Sequence, residues 1–347
     1  MRMLLVPAAG LYSLAVRLRA AAYSWGWLRV RELNHPVVCV GNLTVGGSGK
    51  TPLVAALTQL LASRGFKPGI LTRGYGRQFG SRLIALAPGV QRDPDPREVG
   101  DEPALLARAL PGVPMVICAD RFRGGRFAEE HLGVNVHVLD DGFQHLGLRH
   151  DVDIVALDVT QPIFEDAMLP AGRLREPVSG LRRAHLMVLT RVGDEDTQRL
   201  EQRLHVVNSK LQIFRSRTEL KGFVKIADSR ILPVEALPPG PVFVFCGIGN
   251  PRAFFEDLRR WGLNVISARS FPDHHRYTEN ELANLDRSAI QSGAAALVTT
   301  EKDLMNLPEN WQPEVPLFTC RIEAHFTGPT EFEESLLRLL AGCGRTR

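Results

Sequence analysis

The chain has 347 residues, a formal net charge of +4 and 44% hydrophobic residues. This length suffices for one large domain or for a large and a small domain, and the composition is that of an ordinary globular protein. No stretch offers the ~20 uninterrupted apolar residues that a membrane-spanning helix needs. The mild positive charge suits an anionic ligand or an anionic membrane surface, but it is too small to indicate a nucleic-acid-binding protein.

The first thirty residues mix Leu, Val, Tyr and Trp with several arginines, including Arg17, Arg19 and Arg29. This mixture predicts a helix that lies in a membrane interface, where basic side chains meet lipid phosphates. Two alternatives stay open, namely an export signal and an amphipathic helix packed on its own domain. Pro7 and the early arginines interrupt the apolar run that an export signal needs.

From Pro36 onwards, short β-branched runs alternate with helical stretches. Such alternation predicts an α/β fold like that of P-loop NTPases, with a mostly parallel sheet and helices on both faces. This alternation of apolar runs and helical stretches is interrupted between Phe214 and Leu237, ahead of the turn-rich LPPGP at 237–241. A second α/β unit follows. We therefore predict a membrane-interface helix at 1–30, a core domain at 31–220 and a smaller α/β domain at 221–347 that closes over the active-site cleft.

The five cysteines are far apart and form no CxxC pair, and most of them lie within apolar runs. We interpret them as reduced, buried thiols and not as metal ligands or nucleophiles. They are Cys39, Cys118, Cys246, Cys320 and Cys343.

The strongest motif is VVCVGNLTVGGSGKTP at 37–52, a β-branched strand that runs into a glycine-rich turn and then into a helix. Glycines let backbone N–H groups crowd around phosphate oxygens, and the helix N-terminus adds partial positive charge. Lys50 would bridge the terminal phosphates, and the Thr51 hydroxyl would bind Mg²⁺. Thr44 stands where the usual motif has its first glycine. The predicted nucleotide-binding residues are Gly46, Gly47, Ser48, Gly49, Lys50 and Thr51.

The sequence resembles the tetraacyldisaccharide 4'-kinases of lipid A biosynthesis. The segments that carry the resemblance span nearly the whole chain: GNLTVGGSGKTP at 41–52, TRGYG at 72–76, GDEP at 100–103, DDGFQH at 140–145, LPAGRLREP at 169–177, FPDHH at 271–275 and TTEKD at 299–303. The resemblance implies phosphoryl transfer from ATP, with Mg²⁺, to the 4'-hydroxyl of an acylated glucosamine disaccharide 1-phosphate. It also implies peripheral attachment to the cytoplasmic face of the inner membrane. We predict no nucleic-acid or protein partner.

Phosphoryl transfer requires a base for the acceptor hydroxyl, a metal ion, and positive side chains that neutralise the negative charge of the transferred group. Asp140 and Asp141 follow the apolar run 136–139, so we predict that their carboxylates lie at a strand end and bind the metal ion. Glu176 is predicted as a further metal ligand. The resemblance implies that Asp101 helps to deprotonate the sugar hydroxyl and that His274 is its partner. Without the resemblance, Asp101 could equally cap a helix.

Three arginines are predicted to position phosphate or substrate, because a guanidinium group binds pairs of oxygens well. These are Arg73 in TRGYG, Arg121 after the run MVICAD, and Arg175 in LREP. The segment Glu301–Asp303 follows another predicted strand. It could contact the nucleotide base or ribose, or it could simply begin a capped helix.

Two other functions share the phosphate loop. One is a P-loop kinase of a soluble small sugar or nucleoside, and the other is a nucleotide-switch ATPase or GTPase of the SIMIBI type. A GTPase would need the guanine-reading NKxD motif and a metal carrier would need a cysteine pair, and the sequence has neither.

Overall fold

The computed structural model describes residues 5–75, 77, 82–89, 94–193, 196–225, 231–308 and 310–344. Its helices are α1 Val6–Ser24, α2 Lys50–Ser63, α3 Pro96–Val99, α4 Asp101–Ala109, α5 Arg121–Leu132, α6 Gln198–Val207, α7 Pro251–Arg260, α8 Glu279–Gln291, α9 Glu301–Leu304 and α10 Pro329–Gly342. Its strands are β1 Val37–Gly41, β2 Pro68–Thr72, β3 Ile84–Leu86, β4 Met115–Ile117, β5 Val136–Asp140, β6 Val152–Asp158, β7 Leu186–Thr190, β8 Gln212–Lys225, β9 Ile231–Leu232, β10 Val242–Cys246, β11 Val265–Ser270, β12 Ala296–Thr300 and β13 Leu317–Thr327.

Within the described residues, all of these strands belong to one sheet, in the order β11-β10-β12-β13-β8-β7-β6-β1-β5-β2-β4-β3, with β9 beside β8. The first half, from β8 to β4, is parallel throughout, and so is the second half, from β11 to β13. The halves are joined by the antiparallel pairing of β8 with β13. The predicted mostly parallel α/β sheet is therefore confirmed.

Each half of the sheet is covered on both faces. In the first half, Cys39, Leu139 and Met187 lie in one buried cluster, and Val38, Val138 and Val188 lie in another. These are neighbouring positions on the same strands, so alternate side chains point to opposite faces of the sheet. A strand buried on both faces reads as a continuous apolar run, which is why the sequence revealed β1, β5 and β7.

The C-terminal helix α10 returns to the first half. Its side chains Phe332, Leu336 and Leu340 are buried in the same cluster as Val38 and Leu53. The predicted boundary between 220 and 221 falls within β8, and the division into 31–220 and 221–347 stays a prediction. The structure adds that the two halves share a strand ladder and that the end of the chain packs on the first half.

Helix α1 lies within the predicted N-terminal segment 1–30, and its attachment to a membrane interface stays a prediction. Of its described residues only Ala9 is buried, while Leu11, Leu14 and Leu18 are 72%, 53% and 58% exposed. No helix in the described ranges is both long and apolar enough to cross a bilayer.

Candidate active site

The phosphate loop leads from the end of β1 into the first turn of α2. Gly49 precedes α2 with φ +75°, and Gly46 has φ +103°. Residues other than glycine rarely adopt such positive backbone angles. The loop is held from inside: the Asn42 amide donates to Ser48 Oγ at 2.8 Å, and the Thr190 hydroxyl donates to the Ser48 carbonyl at 3.0 Å. The predicted set from Gly46 to Thr51 therefore forms a fixed turn at a helix N-terminus, the arrangement that binds phosphate.

The structure explains why Thr44 can replace the usual glycine. Thr44 forms a β-bridge with Leu174, and the flanking bonds run from Val45 N to the Arg173 carbonyl at 2.8 Å and from Arg175 N to the Leu43 carbonyl at 2.7 Å. Thr44 is not among the described residues with positive φ. Because its backbone is ordinary and its partner is a neighbouring segment, glycine is not required there.

The loop at the start of the second half lies against the phosphate loop. A Cβ atom at Gly249 would come within 2.3 Å of Gly47 N and 2.5 Å of Gly46 Cα, so only glycine fits this contact. Nearby, the Asn250 amide donates to Asp158 at the end of β6, at 2.9 Å. The two halves therefore meet directly at the residues expected to hold phosphate.

Lys50 is paired with a carboxylate that directly follows β5. Its Nζ lies 3.5 Å from Asp141 Oδ1, and the Arg175 guanidinium binds the same carboxylate through both oxygens at 2.7 and 2.9 Å. Arg175 also donates to the side-chain oxygen of Asn42. Burial would raise the pKa of Asp141, but Lys50 and Arg175 together hold it well below its usual range. Asp141, not Asp140, is thus the partner of the two cations.

Asp140 is buried at the end of β5 and accepts a hydrogen bond from the Thr72 hydroxyl at 3.1 Å. Burial and the neighbouring carboxylates of Glu102 and Asp141 raise the pKa of Asp140 to about 7. A buried carboxylate whose charge is opposed by two neighbouring carboxylates is a suitable ligand for a divalent cation.

Asp101 and His274 form the pair that the resemblance implied. His274 Nδ1 lies 2.7 Å from Asp101 Oδ2, across the cleft between α4 and the loop after β11. The hydrogen bond that Asp101 accepts raises the pKa of His274. Burial would raise the pKa of Asp101, but the bond with His274 and the charge of Lys302 outweigh it and lower that pKa. Asp101 is therefore ionised at neutral pH.

His274 is held in an unusual backbone conformation, with φ +60°. Its N–H reaches the Gly247 carbonyl and Asp273 Oδ1, both at 3.1 Å, and the Tyr75 ring lies 5.5 Å from its imidazole ring. A residue other than glycine with positive φ costs free energy and persists only where its surroundings hold it. These contacts aim the imidazole at Asp101.

The predicted arginines differ in their surroundings. Arg121 is buried at the start of α5, donates to the Ala119 carbonyl at 2.9 Å, and has no partner for Nε within the described residues. Burial and the charge of Arg73 lower the pKa of Arg121. Arg73 is exposed at the end of β2. Both line the same cleft as Arg175, so all three can meet an anionic ligand.

Glu176 lies outside the cleft lining. Its two carboxylate oxygens accept from the Gln144 amide at 2.7 Å and from the Arg183 guanidinium at 2.9 Å. A direct metal contact by Glu176 stays a prediction. In this structure the carboxylate holds the DDGFQH and LREP segments together.

Two further features of the site, the cleft positions of Gln144 and His145 and the contact of Lys302 with His274, were not predicted from the sequence. Gln144 and His145, in DDGFQH, line the cleft beside Arg19 of α1, and His145 Nε2 is buried without a partner in the described part of the chain. Lys302 lies 3.3 Å from His274 Nε2. The motifs DDGFQH and TTEKD were the available signals, but only the tertiary structure shows which of their side chains reach the cleft.

One cleft of about 940 Å³ lies between the two halves of the sheet and is lined by the phosphate loop, Asp140, Asp141, His274 and the three predicted arginines. A glycine-rich loop at a helix N-terminus, with a lysine, facing carboxylates and a cross-cleft Asp–His pair, defines a P-loop phosphotransferase. The comparisons with known proteins narrow this class. The profile of the family described as Tetraacyldisaccharide-1-P 4'-kinase matches residues 1–341.

Relatives cover nearly the whole chain. A tetraacyldisaccharide 4'-kinase of Geobacter metallireducens is 41% identical over 329 residues, 95% of this chain and 95% of that protein. That of Geobacter sulfurreducens is 38% identical over 337 residues, 97% and 93% of the two chains. A crystal structure described as "apo" form LpxK from Aquifex aeolicus in complex with ATP is 31% identical, with a TM-score of 0.76 over 98% of this chain and 99% of that one. The chain belongs to the tetraacyldisaccharide-1-P 4'-kinase family, and it is a kinase with an alcohol group as acceptor.

Proposed function

We propose that this protein transfers the γ-phosphoryl group of ATP to the 4'-hydroxyl of a tetraacyldisaccharide 1-phosphate, giving lipid IVA in lipid A biosynthesis. The observation that carries the proposal is the position of the Asp101–His274 pair: His274 lines the same cleft as the phosphate loop and lies 2.7 Å from Asp101. A soluble sugar or nucleoside kinase and a nucleotide switch are the alternatives, and neither accounts for matches to this one family over nearly the entire chain.

The phosphate loop holds the donor. The backbone N–H groups from Gly46 to Thr51 and the N-terminus of α2 bind the phosphates of ATP, and Lys50 bridges its terminal phosphates. Lys50 is kept in place by Asp141, which Arg175 also holds. Because Lys50 and Arg175 share the single carboxylate of Asp141, one net positive charge of these three side chains remains to stabilise the negative charge of the transferred group.

The donor set of the cleft suits Mg²⁺. Asp140, Asp141 and the hydroxyl of Thr51 are oxygen donors, the ligand type that Mg²⁺ prefers. Burial and the neighbouring carboxylates of Glu102 and Asp141 raise the pKa of Asp140 to about 7, and a divalent cation would relieve this repulsion. These three residues would hold the ion, directly or through water, and the ion would neutralise charge on the phosphates.

Asp101 is the base for the acceptor. As the acceptor oxygen forms its new bond to the γ-phosphorus, the bond from that phosphorus to the bridging oxygen breaks and ADP leaves. The hydroxyl proton passes to Asp101 Oδ, and the His274 imidazole at 2.7 Å stabilises the carboxylate before transfer. Arg73, Arg121 and Arg175 position the phosphates of the two substrates.

The exposed face of α1 suits a membrane surface. Leu11, Leu14 and Leu18 follow the spacing of one helix face and are exposed. The opposite side is anchored beside the cleft, since the Tyr12 hydroxyl donates to the Arg175 carbonyl at 3.0 Å and Arg19 donates to the Gln144 carbonyl at 3.1 Å. We propose that α1 attaches the protein peripherally to the cytoplasmic face of the inner membrane and brings the acyl chains of the substrate to the cleft.

Replacing Leu11, Leu14 and Leu18 with glutamate is expected to weaken binding to anionic vesicles about tenfold or more, because each apolar side chain contributes to insertion in the interface. Vesicle co-sedimentation measures this loss. The control is the triple glutamate variant of Val206, Ile266 and Ile290, which are also exposed and apolar but lie elsewhere. Equal loss in both variants would contradict a specific role of α1.

The function is tested by incubating purified protein with γ-labelled ATP, Mg²⁺ and a tetraacyldisaccharide 1-phosphate in detergent. Label is expected on the lipid and, after mild acid removes the 1-phosphate, on the 4'-position. Release of labelled inorganic phosphate without labelled lipid would instead favour a nucleotide switch. Transfer to a soluble sugar with none to the lipid would favour the soluble-acceptor kinase.

A further inference from the structure

Lys302 places an ammonium group on the far side of the Asp101–His274 pair. Its Nζ lies 3.3 Å from His274 Nε2, 3.3 Å from Glu102 Oε1 and 3.1 Å from Asp273 Oδ1. Its side chain is only 17% exposed. Burial would lower the pKa of Lys302, but the surrounding carboxylates of Glu102, Asp273 and Asp101 outweigh it and raise that pKa. Lys302 is therefore charged throughout the pH range of enzyme assays.

A charged lysine constrains the imidazole beside it. An ammonium group has three donors and no acceptor, so at the contact with Lys302 the Nε2 atom of His274 must accept. In a neutral imidazole the other nitrogen then carries the proton. Nδ1–H consequently donates to Asp101 Oδ2 at 2.7 Å. A protonated imidazole would direct Nε2–H at the ammonium, which is repulsive.

The chain fixes Lys302 in this place. Thr300 caps α9 by accepting from Asp303 N, and the buried Asp303 accepts from Gly247 N at 2.6 Å and from the Tyr277 hydroxyl at 2.7 Å. Gly247 in turn accepts from His274 N. The short helix that presents Lys302 and the loop that presents His274 are therefore joined through one buried carboxylate.

We propose that Lys302 is a positioning residue of the phosphoryl transfer: it holds His274 as a neutral imidazole with its proton directed at Asp101, so that Asp101 stays ionised and ready to accept the proton of the acceptor hydroxyl. This inference rests on the proposed function. The contact with Glu102, on α4 of the first half, makes the arrangement complete only when the two halves of the cleft are together.

The groups around the imidazole of His274 and its partner Lys302 are Asp101 and Glu102 from α4, Asp273 from the loop after β11 and the Tyr75 ring after β2. The hydrogen bond with Asp101 raises the pKa of His274, and burial and the charge of Lys302 oppose this rise. Burial would raise the pKa of Asp101, but the bond with His274 and the charge of Lys302 lower it. Without Lys302, Glu102 and Asp273 would also lose the cation that they share. Removing Lys302 therefore raises the pH at which the pair gives up its proton.

The test compares pH–rate profiles of kcat for Lys302→Met and Lys302→Arg. Because the base acts in its deprotonated form, the acid limb of the pH–rate profile of the Met variant is expected to move to higher pH by about one unit. At low pH the variant's kcat is then about tenfold lower than that of the unchanged protein, and the difference disappears at higher pH. The Arg variant keeps the charge and is expected to stay within about 0.3 unit of the unchanged protein. Lys210→Met, an exposed lysine at a distance, is the control.

A second measurement separates this role from a structural one. In a His274→Gln background, replacing Lys302 with methionine is expected to move the acid limb by less than half as much, because Lys302 acts largely through the imidazole. If the Met variant does not fold, Lys302→Gln replaces it in both comparisons. The KM for ATP is expected to change less than about twofold.

Several outcomes would overturn the inference. A uniform fall in kcat with an unmoved acid limb would assign Lys302 to structure, and a large rise in the KM for ATP would assign it to nucleotide binding. An equal shift with and without His274 would exclude action through the imidazole. All three presuppose that the unchanged protein transfers phosphate to the lipid, so failure of that transfer would count against the proposed function and not against Lys302 alone.

Discussion

Replacing Lys50 with alanine is expected to reduce the rate of phosphoryl transfer by about a thousandfold or more. The substitution removes a fixed positive charge that stabilises the negatively charged phosphoryl group during its transfer. The fold should survive. Asp141, the carboxylate partner of Lys50, keeps its two bonds to Arg175 and is not left without a cation. Initial rates with γ-labelled ATP and lipid acceptor measure the loss, and circular dichroism checks the fold.

The matched control is Lys67→Ala, since Lys67 is an exposed lysine just after α2, outside the cleft lining. It is expected to retain full activity. If the Lys50 variant kept more than about a tenth of the activity, the ammonium could not be a main source of transition-state stabilisation. The phosphate loop would then have to act through its backbone alone.

Replacing Asp101 with asparagine is expected to lower kcat by about 10² to 10⁴ while ATP binding is retained, the range typical of a lost general base. The substitution is nearly isosteric. Asn keeps an oxygen that can accept from Glu102 N, as Asp101 Oδ1 does at 3.0 Å, so the start of α4 is preserved while the charge is lost. Single-turnover rates and binding of a fluorescent ATP analogue separate the two effects.

His274→Gln tests the same pair from the other side of the cleft. Because residues that act as a unit are strongly non-additive, the double variant is expected to be little slower than Asp101→Asn alone. Loss of ATP binding in the Asp101 variant would assign that residue to nucleotide contact. If the rate loss of the double variant equalled the product of the two single losses, Asp101 and His274 would act separately. That result would contradict a joint role inferred from the 2.7 Å contact between them.

The phosphate loop and the parallel strands could be predicted from sequence because they are specified locally. Buried strands such as β5 are continuous apolar runs, and α2 shows apolar residues at helical spacing, with Leu53, Leu57 and Leu61 buried. The strand β13 was not predicted, and β8 was noticed only as a change of pattern that begins at Phe214. They alternate buried and exposed positions irregularly over 14 and 11 residues, and their stability comes from pairing with each other.

The partners of the charged side chains were not predictable. Sequence placed Asp140 and Asp141 side by side at a strand end but could not say that Lys50 and Arg175 form ion pairs with Asp141. It offered Glu176 for the metal, whereas the folded chain pairs that carboxylate with Gln144 and Arg183. Ion pairs are chosen by distance in space, and many spacings along a chain are compatible with each choice.

The sequence by itself determined the family, the α/β class and the phosphate loop, since glycine conformations and apolar periodicity act over a few neighbouring residues. Only the tertiary structure decided how the active site is assembled. His274 lies 173 positions from Asp101, and Lys302 lies 200 positions from Glu102. Contacts over such separations depend on the twist of the sheet and the packing of its two halves, which no local pattern encodes.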